Sequence, residues 1–417
     1  MIAPSTKARG DSRSLSFLGF VKDAASEDEL TRFLKTTVLG NTQVLRGGIG
    51  TAIETLLKSS DHSPVRLMVD VSGITNVLDE LDRLANVCEP SVQVYVVGDR
   101  NDVGLYRNLL QRGVHDYIVK PLSAELLRRA LGDGSASPGT VRQVRHGRVV
   151  AIAGARGGVG ATSVAAHLAR ELAHESGRRR VAYVDLNLYD GNGASLLGLA
   201  GGNALTDVLS NVHHLDPQYL ELTLNTRDQR LYALCAEMEY SETFTPDPGM
   251  LTEMLGVLGQ HFHYIVLDVP QGGGALATEA FANAGLACIV TDQTVHSART
   301  LTRLMHHIQS RTRPPTTYVV LNNAHASARG MVHTRDFSAV LEWPLAVNIP
   351  YDTHGPLIAE NLGDPLPSRS DFARGIKMLA SLLTGETSVA TTKGKAPAQA
   401  GQSAVGGLIA RLRGART

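Results

Sequence analysis

A short apolar run, VVAIA at residues 149–153, is followed directly by the glycine-rich stretch GARGGVGATS at residues 154–163. The run predicts a buried strand, and the apolar spacing of Val164, Leu168 and Leu172 predicts a helix after the glycines. Glycines let backbone N–H groups converge on an anion, and the positive end of a helix dipole stabilises it there. The order of strand, loop and helix therefore predicts a phosphate-binding cradle.

Length and composition limit the other possibilities. The chain has 417 residues, 43% of them hydrophobic, with 40 basic and 40 acidic side chains. This length predicts two domains with tails, and the even charge predicts no specific nucleic-acid partner. Cys88, Cys235 and Cys288 have neither paired nor Cys/His spacing, so we expect buried free thiols and no disulfide, zinc or iron–sulfur site.

The chain alternates strand and helix patterns, with breaks at residues 132–147 and 386–401. We predict a disordered tail at 1–12, domains at 13–132 and 148–385, a linker at 133–147 and a flexible tail at 386–417. Both domains are expected to be α/β with mostly parallel sheets. The polar N-terminus and the lack of an apolar run of about 18 residues predict a cytoplasmic protein.

Strand-like runs lie at residues 15–21, 66–70, 92–97 and 117–119, with helical patterns such as 27–39 and 103–112 between them. This spacing predicts a five-stranded flavodoxin-like domain. Asp70 and the segment GVHDYIVKPL at 113–122 resemble the phosphoacceptor and the closing motif of response-regulator receiver domains.

Receivers hold Mg²⁺ with several carboxylates, because a hard cation needs several oxygen ligands. After the first predicted strand this chain has Phe20-Val21-Lys22-Asp23 instead of paired acids, and Val97-Gly98-Asp99 lacks the expected hydroxyl residue. We therefore expect an interaction module in which Asp70 and Lys120 form a structural ion pair. Phosphorylation of Asp70 is the alternative.

The loop at 154–163 resembles the deviant Walker A motif K-G-G-x-G-K-[ST] of the MinD/ParA family, and the resemblance covers about residues 148–384. It implies a P-loop domain that binds ATP and Mg²⁺. Arg156 stands at the signature lysine, which in the family reaches the partner's nucleotide across a dimer, and arginine keeps that charge. Ala161 stands at the phosphate-binding lysine and replaces none of its contacts.

Two further segments match the family in order. VAYVDLNL at 181–188 resembles the switch motif, with Asp185 as its first aspartate and Asn187 at the second, which helps to position the attacking water. YIVLDVP at 264–270 looks like Walker B, which implies that Asp268 holds Mg²⁺ through water and that Thr162 is a direct ligand. The alternative is that Asp268 only caps a helix after its strand.

Asn322 ends an apolar run where the family's asparagine contacts adenine, and IPYD at 349–352 resembles the segment that closes the base pocket. A turn-forming role is the alternative for Asn322. The resemblance implies that the nucleotide contacts Gly157, Gly158, Val159, Gly160, Ala161, Thr162, Ser163, Asn322, Ile349, Pro350 and Asp352.

A receiver-like domain ahead of a MinD/ParA-like domain with an atypical Walker box resembles the CpaE/TadZ family of Tad (Flp) pilus assembly proteins. The resemblance implies a cytoplasmic homodimer at the inner membrane surface or cell pole that helps to place the secretion machinery, including its separate motor ATPase. Because Ala161 and Asn187 replace catalytic groups, we expect ATP binding with weak or absent hydrolysis. The alternative is a ParA/MinD-type ATPase in partitioning or division-site placement.

Residues 403–416 combine apolar positions at helical spacing with three arginines. We predict a short tethered helix that docks on an anionic membrane or a partner. Because Gly406, Gly407 and Gly414 disfavour helix, a frayed tail is the alternative.

Overall fold

The computed structural model describes residues 15–37, 40–58, 63–131, 146–174, 179–215, 219, 223–226, 230–324 and 332–385. The chain divides into two compact units, residues 1–146 and 147–417, each described here by itself. Most of the predicted linker and both predicted tails, including the segment 403–416, lie outside the described residues. Within the described parts of the chain, no helix has the length and apolarity to cross a membrane.

The N-terminal unit is a parallel sheet in the order β2-β1-β3-β4-β5, which is the strand order of flavodoxin-like domains. The predicted α/β fold is therefore observed, while the closer resemblance to receivers stays a prediction. The described strands are β1 Phe17–Val21, β2 Thr42–Arg46, β3 Arg66–Asp70, β4 Gln93–Gly98 and β5 Asp116–Val119, and the helices are α1 Ala24–Lys35, α2 Ile49–Lys58, α3 Val77–Val87, α4 Val103–Gln111 and α5 Ala124–Leu131.

The strand and helix boundaries in this unit show which elements could be predicted from the sequence pattern. All five residues of β1 are buried, as expected for an apolar strand covered on both faces. The edge strand β2 was not located from the sequence, because it is only partly buried and has no apolar run. Helix α1 begins three residues earlier than predicted, because the Asp23 side chain accepts a hydrogen bond from Ser26 N at 2.8 Å and caps it.

The C-terminal unit is built on a sheet of eight described strands in the order β13-β12-β11-β6-β10-β7-β9-β8. All its pairings are parallel except that of β8 with β9. The strands are β6 Arg148–Gly154, β7 Val181–Asp185, β8 Asn225–Thr226, β9 Leu231–Leu234, β10 Tyr264–Val269, β11 Leu286–Thr291, β12 Thr316–Ala324 and β13 Leu345–Pro350.

Helices cover this sheet on both faces, as parallel strands require. The described helices are α6 Ala161–His174, α7 Gly193–Leu196, α8 Ala204–Ser210, α9 Met250–His261, α10 Ala275–Asn283, α11 Val295–Gln309, α12 Thr334–Val340, α13 Gly355–Leu362 and α14 Asp371–Thr384, with a short 3₁₀ turn at Val212–His214. This is the mostly parallel α/β architecture that the sequence predicts.

The central strand of the larger sheet is β6, which pairs with β10 on one side and β11 on the other. Its apolar residues and the inner face of α6 are buried, including Val164, Leu168 and Leu172 at 0% exposure. The carboxyl ends of these parallel strands meet at one edge of the sheet, where open α/β sheets bind ligands. The loop between β6 and α6 therefore lies at the expected edge between two rigid elements.

Cys88, Cys235 and Cys288 are buried, as predicted, and none of them forms a disulfide. Burial raises the pKa of the Cys288 thiol to about 12 and that of Cys235 further still. Both thiols are therefore protonated and unreactive at neutral pH.

Candidate phosphate-binding site

The loop between β6 and α6 keeps the backbone of an anion cradle. Gly158 and Gly160 have φ angles of 76° and 83°, in the left-handed region that glycine enters without strain. Between them, Val159 is 1% exposed and anchors the loop in the core. Thr162 and Ser163 lie in the first turn of α6, where the backbone N–H groups have no partner within the helix. The loop can therefore present several N–H donors to one anion.

Ala161, at the position that the resemblance assigns to the phosphate-binding lysine, is the first residue of α6. Its methyl group is partly buried and packs against the core beneath α6. A Cβ added to Gly154 would lie 3.5 Å from it. Binding of an anion at this loop would therefore depend on backbone N–H donors and on a cation that accompanies the anion.

Arg156 is engaged within its own chain. Its guanidinium forms an ion pair with Asp292, donates from Nε to Ser297 Oγ at 3.1 Å, and donates from Nη1 to Gly157 O at 2.8 Å. Burial alone would raise the pKa of the Asp292 carboxyl, but hydrogen bonds from Ser297, Arg156 and Thr294 lower it below its usual value. A role for Arg156 across a dimer therefore requires it to leave a charged, hydrogen-bonded partner.

Asp185 and Asp268 face each other near the carboxyl ends of the neighbouring strands β7 and β10, and are 1% and 4% exposed. Asp185 accepts hydrogen bonds from the backbone N–H groups of Asn187 and Gly193, both at 3.1 Å. Tyr183 Oη donates to Asp268 Oδ2 at 3.2 Å. Burial raises the pKa of both carboxyls. Repulsion from Asp185 raises the pKa of Asp268 further, and repulsion from Asp190 raises that of Asp185. The structure thus brings two predicted site residues together in a site that disfavours two negative charges.

This chemistry fits a divalent cation. Among the described residues, no lysine or arginine forms an ion pair with Asp185 or Asp268, and the Thr162 hydroxyl hydrogen-bonds Asp268. A hydroxyl and a nearby carboxylate are oxygen ligands that Mg²⁺ accepts, with water and phosphate oxygens completing its shell. No group of three or more His, Cys, Asp or Glu side chains in the described chain is arranged as a metal cage. The site is therefore suited to a cation that arrives with phosphate.

Asn322 lies against the loop and not in an open pocket. It is 2% exposed, and its Nδ2 donates to Val159 O at 2.8 Å. Its Oδ1 is buried and has no hydrogen-bond partner among the described residues. The contact with adenine stays a prediction, and the contact with the loop was not foreseen from the sequence.

Two other residues of the predicted base pocket have structural contacts. Ile349 is 0% exposed, and a Cβ added to Gly375 in α14 would lie 2.8 Å from its side chain. Asp352 accepts from Gly355 N at 2.9 Å and from Ser370 Oγ at 2.5 Å, at the starts of α13 and α14. Pro350 is exposed. The motif at 349–352 therefore holds two helices, which the sequence did not predict.

A cavity of about 440 Å³ lies at the other side of the loop. It is lined by the start of the loop at Gly154 and Ala155, by residues 269–273 after β10, and by side chains of α10 and α11 that include Arg303 and His307. It does not include Asn322 or Ile349. This cavity therefore differs from the base pocket predicted from the sequence.

Three residues that contact the candidate site were not predicted from the sequence as part of it: Tyr183, Asp292 and Ser297. Tyr183 could have been found, because it precedes Asp185 by two residues on a strand and must share its face. Asp292 could not, because its partner Arg156 is 136 residues away in the sequence.

The N-terminal unit has its own charged cluster at the carboxyl ends of β1, β3 and β5. Lys120 Nζ lies 2.6 Å from Asp70 Oδ2 and 2.5 Å from Asp23 Oδ2, which confirms the predicted pair of Asp70 and Lys120 and adds Asp23. A hydrogen bond from Lys120 is the main cause that lowers the pKa of Asp23 to about 2. Burial would raise the pKa of Asp70, but hydrogen bonds from Lys120 and Ser72 lower it. Both acids are therefore ionised and share one lysine as their ion-pair partner.

Known proteins are similar to the C-terminal unit. A family model described as an AAA domain matches residues 147–316. The chromosome partitioning protein ParA of Myxococcus xanthus is 30% identical over 172 residues, which are 39% of this chain and 58% of that relative. The chain thus spans a little over half the length of that curated relative.

Two solved structures extend the comparison. The pilus assembly protein CpaE from Caulobacter crescentus is 31% identical with a TM-score of 0.26, over 28% of this chain and 89% of that chain. The ParA family ATPase from Chlorobium tepidum superposes with a TM-score of 0.52 at 20% identity, over 56% of this chain and 98% of that chain. The superposition on the ParA family ATPase, with the family match at residues 147–316, therefore gives the C-terminal unit a MinD/ParA-type P-loop fold.

Proposed function

We propose that the protein binds ATP with Mg²⁺ at the loop of residues 157–163 and serves as a localisation and scaffolding factor for a Tad-type pilus secretion machine, with weak or absent hydrolysis. The observation that carries this proposal is a cradle with intact backbone geometry and no lysine. Gly158 and Gly160 keep the left-handed conformations that the loop needs, while Ala161 leaves only a packed methyl group.

Binding rests on three groups that the chain retains. The loop and the N-terminus of α6 supply backbone donors for phosphate oxygens. The Thr162 hydroxyl and Asp268 would hold Mg²⁺, which supplies positive charge between the buried carboxylates and the phosphates. Asn322 is the residue that the family resemblance assigns to adenine. These contacts support affinity for a nucleotide without the charge contact of the absent lysine.

Hydrolysis needs groups that are missing. Phosphoryl transfer depends on positive charge at the transferred phosphate and on a residue that orients the attacking water. Ala161 removes the first, and Asn187 replaces an aspartate implied by the resemblance with an amide, which cannot act as a carboxylate base. Arg156 could supply charge, but its guanidinium is bound to Asp292 in its own chain. A stable nucleotide-bound state suits a scaffold better than a rapid cycle does.

The pilus assignment follows from the combination of the two units. A flavodoxin-like sheet, in which two aspartates share one lysine, precedes the P-loop domain, and this pairing resembles the CpaE/TadZ family. The expected partners are a second copy of the chain and other pilus assembly proteins, including the motor ATPase. The expected site of action is the inner membrane surface or the cell pole, and residues 403–416 are the proposed membrane contact.

The proposal is tested by titration calorimetry with ATP and Mg²⁺ beside a steady-state ATPase assay. We expect saturable binding and a turnover far below the usual range of about 1–10³ s⁻¹ for enzymes. Co-purification with the pilus motor ATPase from a strain that makes Tad pili tests the scaffold role. Absence of binding would overturn the nucleotide site, and binding without co-purification would overturn the pilus role.

The alternative is a ParA/MinD-type ATPase that acts in partitioning or division-site placement, which the match to a ParA protein supports. Such a cycle uses hydrolysis to return to its starting state, because a bound ligand alone holds one conformation. Turnover stimulated by DNA or by anionic lipid would favour this alternative. Flotation with anionic liposomes, comparing the full chain with one ending at Gly401, separates a membrane contact of the C-terminal segment from recruitment by a partner.

A further inference from the structure

Asn322 lies where strand β12 stops being regular. The pairing of β12 with β13 shifts register between Leu321 and Ala324. Asn323 has a φ of 53°, in the left-handed region that most residues avoid and that asparagine tolerates. Irregular backbone of this kind costs free energy and often marks a functional position. The neighbouring residue, Asn322, is therefore a candidate for a functional role.

The Asn322 side chain makes a specific contact with the phosphate loop. Its amide contacts Val159 O at 2.8 Å, across 163 residues of sequence. Because the partner is a carbonyl oxygen, only the NH₂ group of the amide can face it. A Cβ added to Gly160 would lie 2.5 Å from Asn322 Nδ2. The side chain therefore reaches the loop where only a glycine leaves room for it.

This contact determines the direction of one peptide group. Val159 C=O and Gly160 N–H belong to the same planar trans unit, so they point in opposite directions. An amide that holds the carbonyl on the Asn322 side therefore holds the Gly160 N–H on the other side. This peptide group rotates through ψ of Val159 and φ of Gly160. Gly160 would otherwise allow the rotation, because glycine has access to both halves of the φ range.

We propose that Asn322 is a positioning residue of the phosphate cradle, which holds the peptide group of Val159 and Gly160 in the orientation that presents an N–H to an anion. This deepens the proposed function, since it concerns the same site. Ala161 has removed the lysine, so a larger share of anion binding falls to such backbone donors. The buried Oδ1 of Asn322 has no described hydrogen-bond partner, which is unfavourable for stability and supports a role in the loop.

Backbone amide exchange in the nucleotide-free protein tests the contact directly. In Asn322→Ala and Asn322→Asp we expect amides of residues 158–163 to exchange about fivefold faster than in the wild type, the equivalent of one net hydrogen bond. The aspartate variant keeps the size of the side chain but sets an acceptor against a carbonyl. Asn323→Gly, which keeps the left-handed φ without strain, is the matched control and should leave these rates unchanged. Asn322→Ser replaces Asn322→Ala if the alanine variant does not fold. Unchanged exchange in both Asn322 variants would overturn the proposal.

Binding of ATP, GTP and inorganic tripolyphosphate separates the loop contact from a contact with the base. If Asn322 positions the loop, its variants lose affinity for all three ligands by a similar factor, about fivefold. If it acts only by recognising adenine, the loss is confined to ATP, and the proposal is wrong. A wild-type protein that binds none of the three contradicts the proposed function, and in that case the exchange rates still decide whether Asn322 holds the loop.

Discussion

At the scale of single residues, Ala161 is the position that tests whether the loop binds nucleotide without a lysine. Its methyl group is partly buried and packs against the core at the start of α6. Ala161→Lys adds a charge to a preformed set of backbone donors, and hydrogen bonds to charged groups contribute about 1.5–3 kcal/mol. We expect calorimetry to show ATP binding at least tenfold tighter, with turnover still low because of Asn187.

The matched control is Ala161→Met, which adds similar length without charge. It should leave the affinity for ATP close to that of the wild type. An equal effect of lysine and methionine would show that side-chain bulk, and not charge, changes binding. An unchanged affinity in Ala161→Lys would mean that the loop does not bind nucleotide phosphates.

The buried residue His167 destabilises the folded state by an amount that depends on pH. It is 2% exposed on α6, and neither ring nitrogen has a hydrogen-bond partner among the described residues. Burial, with the nearby charge of Arg170, lowers its pKa to about 3. A histidine in the unfolded chain has a pKa of about 6.5. Below that pH the unfolded chain therefore binds a proton at His167 and the folded chain does not. The folded state therefore loses stability as the pH falls from about 6.5 towards 3.

His167→Leu should remove this dependence. Between pH 7 and pH 5 we expect the wild type to lose about 2 kcal/mol more of its free energy of unfolding than the variant loses. Trp343 is the single tryptophan and packs against the core of the C-terminal unit, so its fluorescence in urea reports the unfolding of that unit. The exposed His296→Gln should keep the wild-type pH dependence. Parallel curves for the wild type and His167→Leu would contradict the prediction.

At the scale of elements, Asp352 joins two helices to the end of β13. It accepts hydrogen bonds from Gly355 N at 2.9 Å and from Ser370 Oγ at 2.5 Å, and Ser370 caps α14 by accepting from Ala373 N. Burial alone would raise the pKa of Asp352, but these hydrogen bonds hold it well below its usual range. The carboxylate therefore stabilises the fold above the usual pKa of an aspartate, and this contribution is lost as the pH falls through the lower folded value.

Asp352→Ala should lower the free energy of unfolding by about 1–2 kcal/mol at pH 7, the usual effect of losing a helix cap. Trp343 fluorescence in urea measures the change. Asp371→Asn, at a half-exposed position, breaks a surface pair with Arg374 and should change it by less than about 0.5 kcal/mol. If the two variants have the same free energy of unfolding, the hydrogen bonds of Asp352 do not stabilise the fold. A loss of ATP affinity in folded Asp352→Ala would support the base contact that the motif implies.

The success of sequence reasoning also depended on the element. Central strands such as β6 and β10 were readable, because burial on both faces requires a continuous apolar run. The edge strands β2 and β8 were not located, since neither has one. The phosphate loop could be predicted because its glycine pattern lies within one short stretch of sequence. The ion pair of Arg156 with Asp292 and the contact of Asn322 with Val159 were not, because long-range packing decides them.

At the scale of the whole molecule, Arg156 connects the state of the loop to the predicted homodimer. The role across a dimer that the resemblance implies competes with the ion pair to Asp292 in the same chain. Arg156→Ala should shift the ATP-bound protein towards monomer in sedimentation velocity. Asp292→Asn weakens the competing pair and should shift it towards dimer. If neither variant changes the distribution, Arg156 does not contribute to the dimer, and an interface through the N-terminal unit becomes the explanation.

The two units should also respond to different ligands. In the N-terminal unit, Lys120 contacts both Asp23 and Asp70, and Lys22 N donates to Asp70 Oδ2 at 2.9 Å. A phosphoryl mimic needs a carboxylate that is accessible and a bound cation beside it, whereas Asp70 is 0% exposed and neutralised by a lysine. Beryllofluoride with Mg²⁺ should therefore leave the amide NMR signals of residues 63–131 unchanged, while ATP with Mg²⁺ in the same sample shifts signals of residues 154–163. A Mg²⁺-dependent shift centred on Asp70 would show that the N-terminal unit can accept a phosphoryl group, and that the lysine cluster is a resting state that a phosphoryl group displaces.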